Sequence, residues 1–219
     1  MRRRRTPPAT VTRSGQPRLR PLPELVDLPR RSPLYPELAR ALRAADELHL
    51  LHSDLAPVPV RPTSTTSQAG CYRMRKGDPV DLRVSRRHGR VALSLLHELG
   101  HFVDHQLGAA LGPWWASGHH EAFAGWRAAA AELPSRAPAG SSRYRRRYFD
   151  SAKEIWARSY AQTVLTRTQD PWLQGHLLGL LDLDDVFVWQ ALQFAPLADE
   201  VERVLERLGL LRDRVSLAA

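Results

Sequence analysis

The fold is decided by the stretch Leu96-His97-Glu98-Leu99-Gly100-His101-Phe102-Val103-Asp104-His105, which contains the pattern H-E-x-x-H. On an α-helix, residues four apart lie one turn apart on the same face, so the imidazoles of His97 and His101 can reach one metal ion. Glu98 is rotated by about 100° from His97 and would lie beside such an ion, where it can accept a proton from water. The pattern therefore predicts a zinc-binding helix that also carries a general base.

The pattern lies inside a long helical segment, predicted from about Arg90 to Leu107 and followed by Gly108. A glycine inside a helix costs about 1 kcal/mol relative to alanine, so we expect another segment to approach closely at Gly100. Zinc lowers the pKa of a bound water towards ~7, which makes hydroxide available near neutral pH. The alternative is that both histidines are core residues that flank a surface glutamate.

A catalytic zinc site of this kind needs a third protein ligand. The metzincin pattern would require Gly at position 104 and His at position 107, and Asp104 and Leu107 exclude it. His105 lies one further turn along the helix, with its Cα about 12 Å from that of His97, so we expect it near the site or on the surface and not on the ion. Asp104 shares a helix face with His101 and could orient that ring or hold a neighbouring backbone amide.

A glutamate on another helix is the better source of the third ligand, and two are candidates. Glu154 lies in the first turn of a helix predicted to start at Ser151, and Ala157 leaves room beside an ion. Ser151-x-x-Glu154 is also a capping box, so a purely local role for this glutamate stays open. Glu121 begins another predicted helix, where the helix dipole favours a negative charge. We predict that Glu154 completes the zinc ligands and keep Glu121 as the alternative.

The chain around the site predicts an α+β, mainly helical domain. Cys71–Met74 and Val80–Val84 are typical of short strands, joined by a turn over 76–79, so a small β-hairpin or edge strand precedes the site helix. Three prolines predict a break over 57–62, and 134–143 has the composition of a linker loop. We expect one domain over 33–219 with the zinc-site core at about 70–165, and helices over about 36–48, 90–107, 121–133, 151–166, 177–183 and 196–211.

The net charge of +9 is concentrated near the start of the chain. Residues 1–31 hold nine arginines against Glu24 and Asp27, and eight of the 17 prolines occur by Pro36. Such a composition cannot bury enough apolar surface to offset its ordering entropy, so we predict a disordered Arg/Pro-rich arm over 1–32. The arm can make weak contacts with nucleic acid or another acidic partner, and the alternative is a solvated tail.

Targeting and redox signals are sparse. No apolar stretch of 7–15 residues follows Arg2–Arg5, which argues against a signal peptide. The longest apolar run, about Val91–Leu96, is too short to span a bilayer. Cys71 is the single cysteine, which excludes a disulfide framework and a cysteine-based zinc site. We therefore predict a cytoplasmic monomer that does not contact membranes.

Two motifs together resemble a known group of enzymes. His97–Asp104 reads H-E-L-G-H-F-V-D, and Tyr148–Tyr160 reads Y-F-D-S-A-K-E-I-W-A-R-S-Y. This combination resembles the gluzincin domains of the anthrax lethal-factor type. It resembles more strongly the related zincin-like metallopeptidase domains of polyvalent phage and mobile-element proteins, in which a Tyr-containing stretch precedes an E-x-x-A-R segment with the third zinc ligand. The resemblance covers roughly residues 70–165.

The resemblance implies a zincin-like fold and assigns roles to further residues. Val80–Val84 would line the cleft, and an extended peptide substrate would add to it as a further strand. Tyr148 would hydrogen-bond the developing oxyanion, with Tyr144 as the fallback because Arg145–Arg147 are inserted here. We expect core packing of the three tryptophans between the motifs, Trp114, Trp115 and Trp126.

The predicted function is that of a zinc-dependent endopeptidase, which hydrolyses peptide bonds in a protein or peptide substrate by zinc-bound water with Glu98 as the base. One alternative is a regulatory peptidase of the immunity-repressor type that cleaves a single protein; His105 fits that group, but its characteristic sequence after the third ligand is not evident. The other is a nucleic-acid-associated protein with a structural metal site and the basic arm. Glu98 argues against it, because a structural zinc site fills its four positions with protein ligands and has no use for a base.

Overall fold

The computed structural model describes residues 19–52, 57–111 and 115–212. Within these ranges the strands are β1 Leu19–Arg20, β2 Val26–Asp27, β3 Leu51–His52, β4 Val58–Thr63, β5 Gly70–Arg75 and β6 Asp78–Ser85. The helices are α1 Tyr35–Leu48, α2 Val91–Leu111, α3 Ala116–His119, α4 Ala124–Ala131, α5 Arg143–Phe149, α6 Ala152–Arg167, α7 Pro171–Asp182 and α8 Ala191–Arg207. The predicted mainly helical α+β class is confirmed.

The main sheet has four strands in the order β2-β4-β6-β5. β2, β4 and β6 run parallel, and β5 returns antiparallel to β6 as the second arm of the predicted hairpin. Its turn places Lys76 and Gly77 at φ values of 54° and 85°, as a tight hairpin requires. The expectation that Val80–Val84 receives a peptide strand is wrong, because β6 pairs on both sides with β4 and β5. The edge of the sheet beside α2 is β5.

The segment 19–32 belongs to the folded domain. Residues 19–20 pair with β3, and Val26 and Asp27 extend the main sheet beside β4. Leu22 and Leu25 are fully buried, so the apolar residues between the prolines and arginines bury enough surface to order the segment. The predicted disorder of residues 19–32 is therefore wrong, and residues 1–18 of the predicted arm lie outside the described residues.

The core is built around the contact between α2 and α6. Trp156 on α6 is fully buried and donates its indole N–H to the carbonyl of Gly100 at 3.1 Å. Trp126 packs edge-to-face on Trp156 and donates to Ser159, which confirms the expected core role of this tryptophan. The C-terminal helices α7 and α8 pack on α6 and complete the helical half. Among the described helices, none is both long and apolar enough to cross a bilayer.

Candidate metal centre

His97, His101 and Glu154 meet at the contact of α2 with α6. One potential ligand atom from each residue lies within 4.8 Å of the others. Nε2 of His97 is 3.4 Å from Oε2 of Glu154, and Nε2 of His101 is 3.4 Å from its Oε1. The structure thus brings together the three side chains that the sequence singled out as ligands, although the third lies 53 positions after the second in the chain.

The donor set and its spacing suit a zinc ion. Zinc holds imidazole nitrogen and carboxylate oxygen at about 2.0–2.1 Å in a tetrahedron, which sets neighbouring donors about 3.3–3.4 Å apart. Each imidazole lies at that distance, 3.4 Å, from one oxygen of the Glu154 carboxylate, and the three donor atoms lie within 4.8 Å of one another. Oε1 of Glu154 is buried and makes no hydrogen bond within the described part of the chain. Because a buried carboxylate oxygen without a hydrogen bond is costly, a cation bound between it and the facing imidazoles is a natural partner for it.

Glu154 is directed at the histidines and not at its own helix end. The capping box does not form, since the Ser151 hydroxyl donates to the carbonyl of Tyr148 and caps no N–H of α6. Burial by itself would raise the pKa of Glu154, but the facing imidazoles of His101 and His97 outweigh it and hold that pKa well below its usual range. The alternative ligand, Glu121, is exposed on a short 3₁₀ turn and is not part of the cluster.

Close packing at Gly100 lets the two helices supply one centre. A Cβ at this position would lie 2.9 Å from the Cα of Ala157, closer than real Cβ atoms come to backbone. Gly100 lies one residue before His101, and Ala157 lies three residues after Glu154. The expected close approach at Gly100 is therefore present, and it sets the distance between the two halves of the ligand cluster.

Glu98 lies beside the cluster and under the edge strand. Its side chain is buried, and its Oε2 accepts the backbone N–H of Tyr72 at 2.6 Å. Gly70 permits this contact, because a Cβ there would fall 2.5 Å from Oε1 of Glu98. Burial raises the pKa of Glu98 to about 7, against the opposing effects of His97 and of the Tyr72 amide. A carboxylate held in this way is suited to accept a proton near neutral pH.

The two candidate tyrosines differ in position. Tyr148 lines the cleft beside the cluster, and its pKa is raised by burial and then by the negative charge of Glu154. Tyr144 is 82% exposed and is not among the cleft residues. Of the two, only Tyr148 has the position needed to touch a reacting group at the centre.

Asp104 and His105 have structural partners. Asp104 is fully buried and accepts the backbone N–H and the hydroxyl of Ser117 at 2.7 and 2.6 Å. Of its two expected roles, it therefore holds a backbone amide and does not orient the ring of His101. The pKa of Asp104 is raised by burial to about 6. His105 is buried, bonds the Tyr72 hydroxyl at 2.8 Å through Nδ1, and is not part of the ligand cluster. Both residues hold segments against α2.

A cleft of about 720 Å³ opens over the centre. Strand β5 forms one side, and α5 with the first turn of α6 forms the other. Trp115 also lines this cleft, so the expectation that it packs in the core is wrong, and Trp114 lies outside the described residues. Three further residues at this cleft, Gly70, Tyr72 and Lys153, were not predicted from the sequence to be part of the site. Of these three, Gly70 could have been recognised, because a glycine at the start of a predicted strand often marks a place where another group comes close to the backbone.

No protein-family model matches this sequence, and no curated protein and no solved structure matches it either. The case for a metal centre therefore rests on the residues of this chain and their geometry.

Proposed function

We propose that this protein is a zinc-dependent peptidase whose metal is held by His97, His101 and Glu154. The observation that carries the proposal is the cluster of three donor atoms within 4.8 Å of one another, with the buried carboxylate of Glu98 beside it. A structural zinc site would use four protein donors, whereas the described residues supply three, which favours a position left open for water or substrate. We also propose, on the motifs quoted above, that the domain is of the gluzincin type.

Zinc bound at this centre would supply a Lewis acid that makes water nucleophilic near neutral pH and polarises a peptide carbonyl. Glu98 would accept the proton of the attacking water and pass it to the leaving amine. Its hydrogen bond from the Tyr72 amide fixes the carboxylate next to the ligands, so no large side-chain movement is needed before the transfer. The Tyr148 hydroxyl would donate to the oxygen that becomes negative in the transition state.

Strand β5 offers a place for an extended substrate. The N–H of Tyr72 points away from β6, because it donates to Glu98. In an antiparallel pair the N–H and carbonyl of one residue point to the same side, so the Tyr72 carbonyl is also directed to the open edge of β5. We propose that a peptide adds along this edge, with the Tyr72 carbonyl as acceptor while the Tyr72 N–H stays on Glu98, and thereby presents one of its bonds to the centre.

A comparison of wild type with Glu98→Gln tests the proposal. Both proteins are loaded with zinc, checked by metal analysis, and incubated with a proteome-derived peptide library whose new termini are identified by mass spectrometry. We expect about one zinc per chain in both proteins. We expect cleavage by wild type alone, with a loss of at least about 100-fold in the variant, since the substitution removes the base and keeps the shape. Cleavage by Glu98→Gln at the wild-type rate would overturn the mechanism, and a wild type that binds zinc but cuts nothing would overturn the function.

A further inference from the structure

The cleft carries an imbalance of charge. Its carboxylates are Glu98 and Glu154, and both face the metal centre, where they would balance the charge of a divalent ion. Among the cleft cations, Arg90 forms an ion pair with Asp185 at 2.5 Å. Lys153 and Arg145 have no carboxylate partner among the described residues. A loaded site would therefore present two uncompensated side-chain cations to a substrate.

Of these two cations, Lys153 is the one held in place. Its Nζ lies 5.2 Å from the ring centroid of Trp115 and 5.2 Å from that of Tyr148, within the range of cation–π attraction. The side chain is half-buried, whereas Arg145 is exposed and its charge is screened by solvent. Two ring faces fix the ammonium but leave its hydrogens without an anionic acceptor. The vacant partner of Lys153 has the chemistry of a carboxylate.

The place of Lys153 ties this cation to the reacting bond. It directly precedes Glu154 in the first turn of α6, and one of its two rings belongs to Tyr148, which we place against the oxyanion. A group that binds Lys153 thus lies next to the scissile bond and not at the far end of the cleft. We propose that Lys153 recognises a substrate carboxylate beside the scissile bond and so selects peptides that carry one there; this inference rests on the proposed peptidase function. The carboxylate can come from a Glu or Asp side chain or from the C-terminus of the peptide.

Three synthetic peptide pools distinguish these two sources. All have equal length and flanks randomised without Asp or Glu. One has a central Glu and an amidated C-terminus, one a central Gln and an amidated C-terminus, and one a central Gln and a free C-terminus. We expect wild type to cleave one carboxylate-bearing pool with a kcat/KM about tenfold above that of the amidated Gln pool, the equivalent of about 1.4 kcal/mol. A preference for the Glu pool assigns the side chain, and a preference for the free C-terminus assigns the chain end. Equal rates on all three pools would overturn the proposal.

The chain offers a matched control, because Lys76 and Lys153 are its only two lysines. We call the ratio of kcat/KM on the preferred carboxylate-bearing pool to that on the amidated Gln pool the preference. We expect Lys153→Met to reduce this preference to about one and Lys153→Arg to retain most of it. Lys76→Met, in the β5–β6 turn, should leave both preference and rate unchanged. Preference that survives in Lys153→Met with its zinc content intact would contradict the assignment.

Binding separates this inference from the proposed hydrolysis. Fluorescein-labelled versions of the three pools are titrated by anisotropy into zinc-loaded Glu98→Gln, with and without Lys153→Met. We expect about tenfold tighter binding of a carboxylate-bearing pool, lost in the double variant and weakened when NaCl rises from 50 to 500 mM. If wild type cleaves no pool, the peptidase function fails and this binding ratio alone decides the role of Lys153. A ratio near one would reject it.

Discussion

Gly100→Ala is the substitution that tests how α2 and α6 form the centre. The new Cβ would lie 2.9 Å from the Cα of Ala157 and 3.1 Å from Cδ1 of Tyr160. Carbon atoms pack at about 3.5–4.0 Å, so the helices must separate by about 0.6–1 Å, since a backbone atom cannot rotate away. Zinc–ligand distances tolerate about 0.2 Å, so this separation moves Glu154 out of register with the two histidines.

The expected size of the effect follows from these distances. Overpacking of this kind costs about 1–3 kcal/mol. The gain in helix propensity from Gly to Ala returns about 1 kcal/mol, so the free energy of unfolding of the zinc-free protein should fall by at most about 2 kcal/mol. Zinc affinity should fall by about 10- to 100-fold, because the displacement acts directly on the ligands.

Gly175→Ala is the matched control for Gly100→Ala. Gly175 lies inside α7, and a Cβ there would meet nothing within 4 Å. We expect this variant to gain up to about 1 kcal/mol in the free energy of unfolding and to keep its zinc affinity. Zinc affinity is measured by competition with a chromophoric chelator, and stability by urea unfolding of the zinc-free proteins. A Gly100→Ala protein that binds zinc as tightly as wild type would refute the reasoning about this helix contact.

Three further predictions concern the ligands, the oxyanion and acid stability. Metal analysis should show that Glu154→Ala loses zinc while Glu121→Ala keeps about one per chain; the reverse would transfer the third ligand to position 121. Tyr148→Phe should lower kcat by about 100-fold with zinc retained, and Tyr144→Phe should leave kcat unchanged; equal effects would remove Tyr148 from the mechanism. Burial lowers the pKa of His49 to about 4, so its neutral form contributes stability that is complete above about pH 6.5 and is lost as the pH falls towards 4. Urea unfolding should therefore show a loss of about 3 kcal/mol between pH 7.5 and 4 that is absent from His49→Gln, and parallel pH profiles would contradict it.

The two halves of the centre differ in how far they could be predicted from sequence. His97 and His101 are four residues apart on one helix, so local geometry alone puts both rings on one face. Whether Glu154 reaches the histidines depends on how α6 packs on α2, which the local sequence does not determine. The motif around Glu154 also fitted a capping box, so the sequence left both roles open. Gly100 was the local sign that a second segment comes close. Contacts such as Tyr72 with Glu98 have no sequence signal, because they join segments through the tertiary fold.

Segments rich in proline or arginine were predicted less well. β4 was expected to be a break because of its prolines, yet neither removes a ladder hydrogen bond. Pro59 comes before pairing with β6 begins at Val60, and Pro62 lies beyond the last residue of β4 that pairs with β2. Helix α5 was not predicted, and its first residue, Arg143, fell in the expected loop over 134–143. The helix buries no residue, so its sequence carries no apolar period. Composition also placed the start of the domain too late, at residue 33. The segment before it has few apolar residues among its charged ones, but two of them, Leu22 and Leu25, are fully buried.

X-ray absorption at the zinc edge tests the central claim most directly. The zinc-loaded protein should show two imidazole nitrogens and two oxygens at about 2.0–2.1 Å, one oxygen from Glu154 and one from an exchangeable water. The Glu154→Ala protein, taken through the same loading, should retain too little zinc to give this spectrum. A sulfur at about 2.3 Å, which Cys71 in the same cleft would supply, or four protein donors with no exchangeable oxygen would contradict a catalytic zinc centre.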